Sequence, residues 1–161
     1  MSVLKDVSTQ LNEKNLLLST AESCTGGWLA KTITDLAGSS TIFDRGFVTY
    51  SNEAKQEMLG VAEKTLENFG AVSEQVVLEM AEGAIKNSAA NIAISISGVA
   101  GPGGGTDDKP VGMVCFGWLI SGENSQAETM YFDGDRDSVR KQSVEYALKI
   151  LLRIIAKSIT K

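Results

Sequence analysis

Ser23 and Cys24 stand side by side in TAESCTGG, residues 20–27, between an apolar run at 16–19 and the helical pattern WLAKTITDLAG. A hydroxyl or thiol where a strand turns into a helix lies beside unpaired backbone N–H groups and the positive end of the helix dipole. The amides of Thr25, Gly26 and Gly27 can there stabilise an oxyanion or hold a phosphate, and the glycines let a substrate approach the backbone. Ser23 would then be a nucleophile beside its own oxyanion site. The plainer alternative is that Ser23 or Thr25 caps the helix, as both residue types commonly do. Cys24 competes as nucleophile, because a helix N-terminus lowers a thiol pKa, or is simply a small buried apolar residue.

A second junction, YSNEAK at 50–55, brings a lysine to a similar place. With Ser51 or Asn52 as cap, Lys55 falls in the first helical turn. There the dipole and any burial disfavour the ammonium and make a neutral amine available as a base. Tyr50 closes the preceding strand and can present its hydroxyl to the same cleft. Each residue also has a plain reading: a solvated surface lysine and a half-buried strand aromatic.

SGVAGPGGGTDDKPVG follows, with five glycines between 98 and 105. Its backbone can wrap an anion or a flat ring, with Gly98, Gly101, Gly104, Gly105 and Thr106 as candidate contacts. No G-K-[ST] follows and no helix starts there, so it is neither a P-loop nor a dinucleotide fingerprint. An unremarkable surface loop has the same composition. In FDGDRDSVRK, residues 132–141, Arg136 and Arg140 share one helix face at i, i+4 and can hold a phosphate. Asp133, Asp135 and Asp137 favour a salt-bridged surface for Arg136 and leave Arg140 open as an anion ligand.

The chain has 161 residues, 43% hydrophobic and 22% charged, which predicts one domain spanning 1–161 with a real core. It contains no histidine, which removes Ser-His-Asp and Cys-His mechanisms and the usual zinc sites. Cys24 and Cys115 have no ligand spacing, so no metal is expected. A net charge of −5 offers no general field for nucleic acid. No apolar run reaches membrane length, and the polar first fifteen residues do not read as a signal peptide, so the expected location is cytoplasmic.

Periodicity predicts helices at about 3–13, 26–36, 52–59, from Ser73 onward, and 135–157. It predicts strands at 16–21, 42–50, 91–98, 111–120 and 127–132. Alternating helices and apolar strands imply a three-layer α/β/α sandwich around a mixed, mostly parallel five-stranded sheet; the short turn GENSQ makes the last pair a hairpin. Ligands in such sheets bind beyond the carboxyl ends of parallel strands, where the first three junctions fall.

TAESCTGGWLAKTITDLAGSS, RGFVTYSNEAK, GAVSE, SISGVAGPGGG, KPVG and FDGDRDSVR resemble, in order, the signature blocks of the CinA C-terminal domain family. The resemblance covers essentially the whole chain, with no departure at these blocks. It implies hydrolysis of the carboxamide of nicotinamide mononucleotide to nicotinate mononucleotide and ammonia, in pyridine-nucleotide salvage. It places the family's serine nucleophile on Ser23, its lysine base on Lys55 and a supporting tyrosine on Tyr50. It implies a homodimer, a small-molecule nucleotide as partner, and neither metal nor organic cofactor. Competing expectations are an amidase of another substrate, a nucleotide-binding module without turnover, and an interaction partner in DNA uptake or repair.

Overall fold

The computed structural model describes residues 2–158. In chain order it contains α1 (Ser2–Glu13), β1 (Leu18–Glu22), α2 (Trp28–Thr34), β2 (Phe43–Val48), α3 (Asn52–Leu59), α4 (Glu63–Phe69) and α5 (Glu74–Lys86). Then come β3 (Ile92–Gly98), β4 (Met113–Ile120), β5 (Gln126–Tyr131) and α6 (Arg136–Lys157). The strands form one sheet in the order β2-β1-β3-β4-β5. β1 is parallel to both β2 and β3, whereas β4 is antiparallel to β3 and β5. Four strands therefore run one way and β4 runs against them. This is the mixed α/β/α sandwich that the alternation of elements predicts.

The two parallel crossovers, from β1 to β2 and from β2 past β1 to β3, step in opposite lateral directions. A single crossover hand then requires their helices to lie on opposite faces. Residue size along the strands matches this. Ile92, Ile94 and Ile96 of β3, with Val114, Phe116 and Trp118 of β4, face a core shared with α1, α2 and α6. On the other face Ala21, Ala93 and Cys115 meet Val76, Val77, Met80, Ala81 and Ala84 of α5. The small residues let α5 approach closely enough for Ser95 Oγ to donate to the Val77 carbonyl at 2.5 Å.

Two elements differ from their expected form. The second helix starts at Trp28 rather than Gly26, because Gly26 and Gly27 take φ of +60° and +103°. Glycine tolerates that conformation, and it lies outside the helix. α4 is not announced by local pattern at all: its cap residue is Ala62, with no side-chain cap of its own. The carboxylate of Glu79 on α5 instead accepts from the Ala62 amide at 2.8 Å and from Thr65 Oγ1 at 2.6 Å.

Because β1, β2, β3 and β5 are co-directional, their carboxyl ends share one edge of the sheet. The segments that follow them, starting at residues 23, 49, 99 and 132, meet there. α3 is held in this arrangement by α5. A Cβ placed on Gly83 would come within 1.9 Å of the Leu59 carbonyl oxygen at the end of α3. Gly83→Ala is therefore expected to destabilise the fold by at least about 3 kcal/mol through overpacking. A lowered urea midpoint measures this; an unchanged midpoint would show that α3 and α5 tolerate separation.

Candidate active site

Ser23 is the first residue beyond β1, and its amide donates to the Ile96 carbonyl of β3 at 2.9 Å. That bond continues the β1–β3 pairing by one residue and fixes the side chain at the carboxyl edge. Lys55 lies in the first turn of α3, which Ser51 caps by accepting from the Ala54 amide. Its side chain turns back toward the sheet, where Nζ lies 3.0 Å from Ser23 Oγ, 2.9 Å from the Thr49 carbonyl and 3.4 Å from the Tyr50 carbonyl. Lys55 is only 1% exposed, and Ser23 is also buried. Among the described residues Lys55 forms no ion pair.

Burial holds the Lys55 amine below the ordinary lysine range, opposed only by attraction to a Cys24 thiolate. That thiolate does not form readily. Burial pushes the Cys24 thiol up to about 11, with the Glu22 charge adding to the rise. Its own amide, Arg140 and the Gly98 amide pull only partly the other way. The thiol thus stays protonated at neutral pH, and the helix-terminus argument for a reactive Cys24 gives way to burial. A neutral Lys55 has two N–H donors and one lone pair. Two carbonyls and one hydroxyl are the complement of that set.

The helix N-terminus itself is not open to a ligand. Glu22, the last residue of β1, is 1% exposed and fills it. Its Oε1 accepts from Thr25 Oγ1 at 2.6 Å, the Leu29 amide at 2.9 Å and the Gly27 amide at 3.2 Å; Oε2 accepts from the Ala30 amide at 3.0 Å. The Gly26 amide donates to the Ser23 carbonyl at 3.1 Å. Of the expected anion cradle, the Gly27 amide is therefore taken by a glutamate and the Gly26 amide by the Ser23 carbonyl, while Thr25 reaches the glutamate through its hydroxyl rather than its amide. Neither Ser23 nor Thr25 caps the helix directly. The Cys24 amide, next to Ser23, donates to no carbonyl among the described residues.

A cleft of about 310 Å³ opens beside Ser23 and Lys55. Gly98, Gly101 and Gly104 line it, with Tyr50 at its lip; Gly105 and Thr106 do not. Gly105 packs against Val111, and Thr106 closes a turn with Lys109 through its amide and hydroxyl. The Tyr50 side chain does not touch Lys55: its hydroxyl accepts from Arg136 Nη2 at 3.1 Å, and only its backbone carbonyl reaches the amine.

Neither arginine sits where its neighbours in sequence suggest: Arg136, expected in a salt-bridged surface, lines the cleft, and Arg140, the candidate anion ligand, does not. Arg140 lies behind the turn, donating to the Cys24 carbonyl at 3.0 Å and the Thr25 carbonyl at 3.2 Å, with its guanidinium 5.5 Å from the Trp28 ring centroid. Arg136 lines the cleft and forms no salt bridge among the described residues, despite the neighbouring aspartates. The first residue of α6 reaches the edge because β5 also ends there, a consequence of topology that local sequence does not reveal. Among the described residues no group of three or more acidic or cysteine side chains could hold a metal, and no helix is long and apolar enough to cross a membrane.

Residues 1–155 match the model of the CinA C-terminal domain. The chain is 54% identical over 151 residues to nicotinamide-nucleotide amidohydrolase PncC of Escherichia coli K12, covering 94% of this chain and 92% of that protein. A crystal structure of a competence/damage inducible protein from Agrobacterium tumefaciens is 45% identical, with a TM-score of 0.92, covering 95% of this chain and 93% of the other. A CinA superfamily protein from Klebsiella pneumoniae is 40% identical, with a TM-score of 0.94 and 98% coverage of both chains.

Glu22→Gln replaces an all-acceptor carboxylate with a group whose NH2 faces backbone donors. It is expected to cost roughly 2–4 kcal/mol, as buried donors lose a charged acceptor. Denaturation would register this, and a shift under about 0.5 kcal/mol, the size of ordinary surface substitutions, would show that α2 can start without the carboxylate.

Proposed function

The chain belongs to the CinA C-terminal domain family, and on that footing we propose that it is an amidohydrolase converting nicotinamide mononucleotide and water to nicotinate mononucleotide and ammonia. The observation that carries the reading is the 3.0 Å contact between Ser23 Oγ and the buried, carboxylate-free Lys55 Nζ. The Escherichia coli relative, a nicotinamide-nucleotide amidohydrolase, supports the substrate.

In this mechanism neutral Lys55 takes the Ser23 hydroxyl proton as Oγ attacks the carboxamide carbon. The Cys24 amide is the nearest backbone donor in sequence for the resulting oxyanion. Collapse breaks the C–N bond, and Lys55 returns the proton to the leaving nitrogen, releasing ammonia and leaving an acyl-serine. Water then attacks the ester carbon and gives a proton to Lys55. The second collapse breaks the ester bond and restores the proton to Ser23 Oγ, freeing the carboxylic acid. The acyl transfer and proton relay employ neither a metal nor an organic cofactor. Cytoplasmic location and a homodimeric assembly complete the reading.

Ser23→Ala should lower kcat/KM by roughly three orders of magnitude or more, as loss of a nucleophile does. Cys24→Ala should cost far less, since the thiol is protonated; the reverse ranking in an ammonia-release assay would transfer the nucleophile to Cys24.

For Lys55 the rate should rise with pH through an ionisation below about 10.4, the unperturbed lysine value. The deprotonated amine is the active form, so activity is lost as pH falls through the folded-state pKa. Lys55→Arg should be nearly as inactive as Lys55→Ala, because arginine cannot accept the proton in this range. An arginine variant that keeps most of the activity, with circular dichroism confirming its fold, would leave Lys55 as a cation only.

The pH dependence of stability has its own sign. The unfolded state binds the Lys55 proton more tightly than the folded state, so between the two pKa values stability rises with pH. The stability of wild type relative to Lys55→Met should therefore increase between neutral pH and about 10. A flat difference in denaturation midpoints would mean that the amine is not perturbed.

A further inference from the structure

We infer that Arg136 is the specificity-determining residue of the cleft and receives the 5′-phosphate of the nucleotide. This assignment rests on the amidohydrolase reading for its substrate. The residue comes from charge and geometry. The chain carries a net charge of −5, yet among the described residues the cleft is lined by Lys55 and Arg136 and by no carboxylate. Four other cavities, of 300 to 610 Å³, each include at least one glutamate. A basic cleft on an acidic chain concentrates a negatively charged ligand.

Within that cleft the two basic side chains differ, and Arg136 is the one with a permanent charge. Lys55 is buried and held by Ser23 and two carbonyls. Arg136 is exposed, and its guanidinium donates only to neutral acceptors: the Gly101 carbonyl at 2.9 Å and the Tyr50 hydroxyl at 3.1 Å. An arginine has five N–H donors in a planar fork suited to phosphate oxygens, and these two bonds leave donors free. The tethers fix the fork across the mouth of the cleft, from the glycine loop to Tyr50, and so limit the entropy lost when an anion docks.

Tyr50 sets the separation. Its backbone carbonyl accepts from Lys55 and its hydroxyl accepts from Arg136, so one tyrosine spans the distance between amine and guanidinium. Carboxamide and phosphate lie at opposite ends of the mononucleotide, separated by the pyridine ring and ribose. The amine beside Ser23 and the Arg136 guanidinium are placed to address one end each. Arg140, the other arginine on this face of α6, points its donors at the Cys24 and Thr25 carbonyls instead.

The test compares kcat/KM for nicotinamide mononucleotide and for the corresponding riboside, which lacks the phosphate, in wild type and Arg136→Gln. The ratio between the substrates is expected to fall about 10- to 100-fold in the variant, the range of one or two charge-assisted hydrogen bonds. Most of the loss should appear in KM for the mononucleotide, and Arg136→Lys should recover part of the ratio. An unchanged ratio, including an equal loss on both substrates, would overturn the assignment and leave Arg136 as a brace for Gly101 and Tyr50. A second arm measures calorimetric binding of the mononucleotide to Ser23→Ala and to Ser23→Ala with Arg136→Gln. Weaker binding by the same factor supports the phosphate site even if the wild type turns over neither substrate, an outcome that would sink the amidohydrolase reading alone. Equal binding by the two proteins overturns the phosphate site.

Discussion

The buried Lys55 amine is the constraint around which the rest of the edge is arranged. A lysine that is 1% exposed and unpaired by any carboxylate among the described residues is costly in its charged form. The fold meets that cost without a counter-ion. β2 ends where it brings the Thr49 and Tyr50 carbonyls to the amine, and the hydrogen bond from the Thr49 amide to the Glu22 carbonyl at 2.8 Å ties that chain end to β1. Ser51 then starts α3, so that Lys55 folds back over the same two carbonyls. A carboxylate at this position would stabilise the ammonium, whereas neutral partners leave the proton less firmly held, as the proposed base role requires.

Glu22 shows the complementary treatment of a buried charge. It sits one residue from Ser23, yet its carboxylate is directed into the start of α2, where backbone amides and the Thr25 hydroxyl surround it. The positive end of that helix is thereby matched from within. Arg140 grips the same turn from the opposite side through the Cys24 and Thr25 carbonyls. The turn following Ser23 is thus fixed by an anion on its amides and a cation on its carbonyls. On the proposed function, rigid support of this kind matters for a serine whose hydroxyl must stay within hydrogen-bonding distance of one amine.

Much of this was legible in the sequence because its cause is local. Alternation of isoleucine with small residues in NIAISISG specifies one strand with a bulky face and a close-packing face, and Ser51 and Ser73 announce their helices as caps. The juxtaposition of Ser23 and Lys55 followed from two strand-to-helix junctions on one edge. Features fixed by distant partners were not legible. α4 depends on Glu79, 17 residues from the amide it caps. Glu22 displaced the common serine or threonine caps, and so took up the Gly27 amide and the Thr25 hydroxyl that the sequence offered to a ligand. The roles of Arg136 and Arg140 could not be separated by i, i+4 spacing: a helix face points both toward a cleft and toward the turn behind it, and only the placement of α6 beside the turn that follows β1 decides which arginine goes where.

The edge is divided by depth as well as by residue. Ser23 and Lys55 are buried, whereas Tyr50 is 61% exposed and Arg136 lies at the surface. Burial helps an amine act as a base, because it removes the solvent that would stabilise its proton. It would hinder an arginine, whose charge is permanent and whose desolvation has to be met each time a ligand leaves. An exposed guanidinium held only by neutral acceptors can exchange water for an anion at little cost. On the proposed function, proton transfer therefore belongs to the dry end of the cleft and recognition of charge to the wet end. Tyr50 bridges them through its backbone on one side and its hydroxyl on the other, which makes the spacing between the two ends a property of β2 and its junction with α3 rather than of the flexible side chains alone.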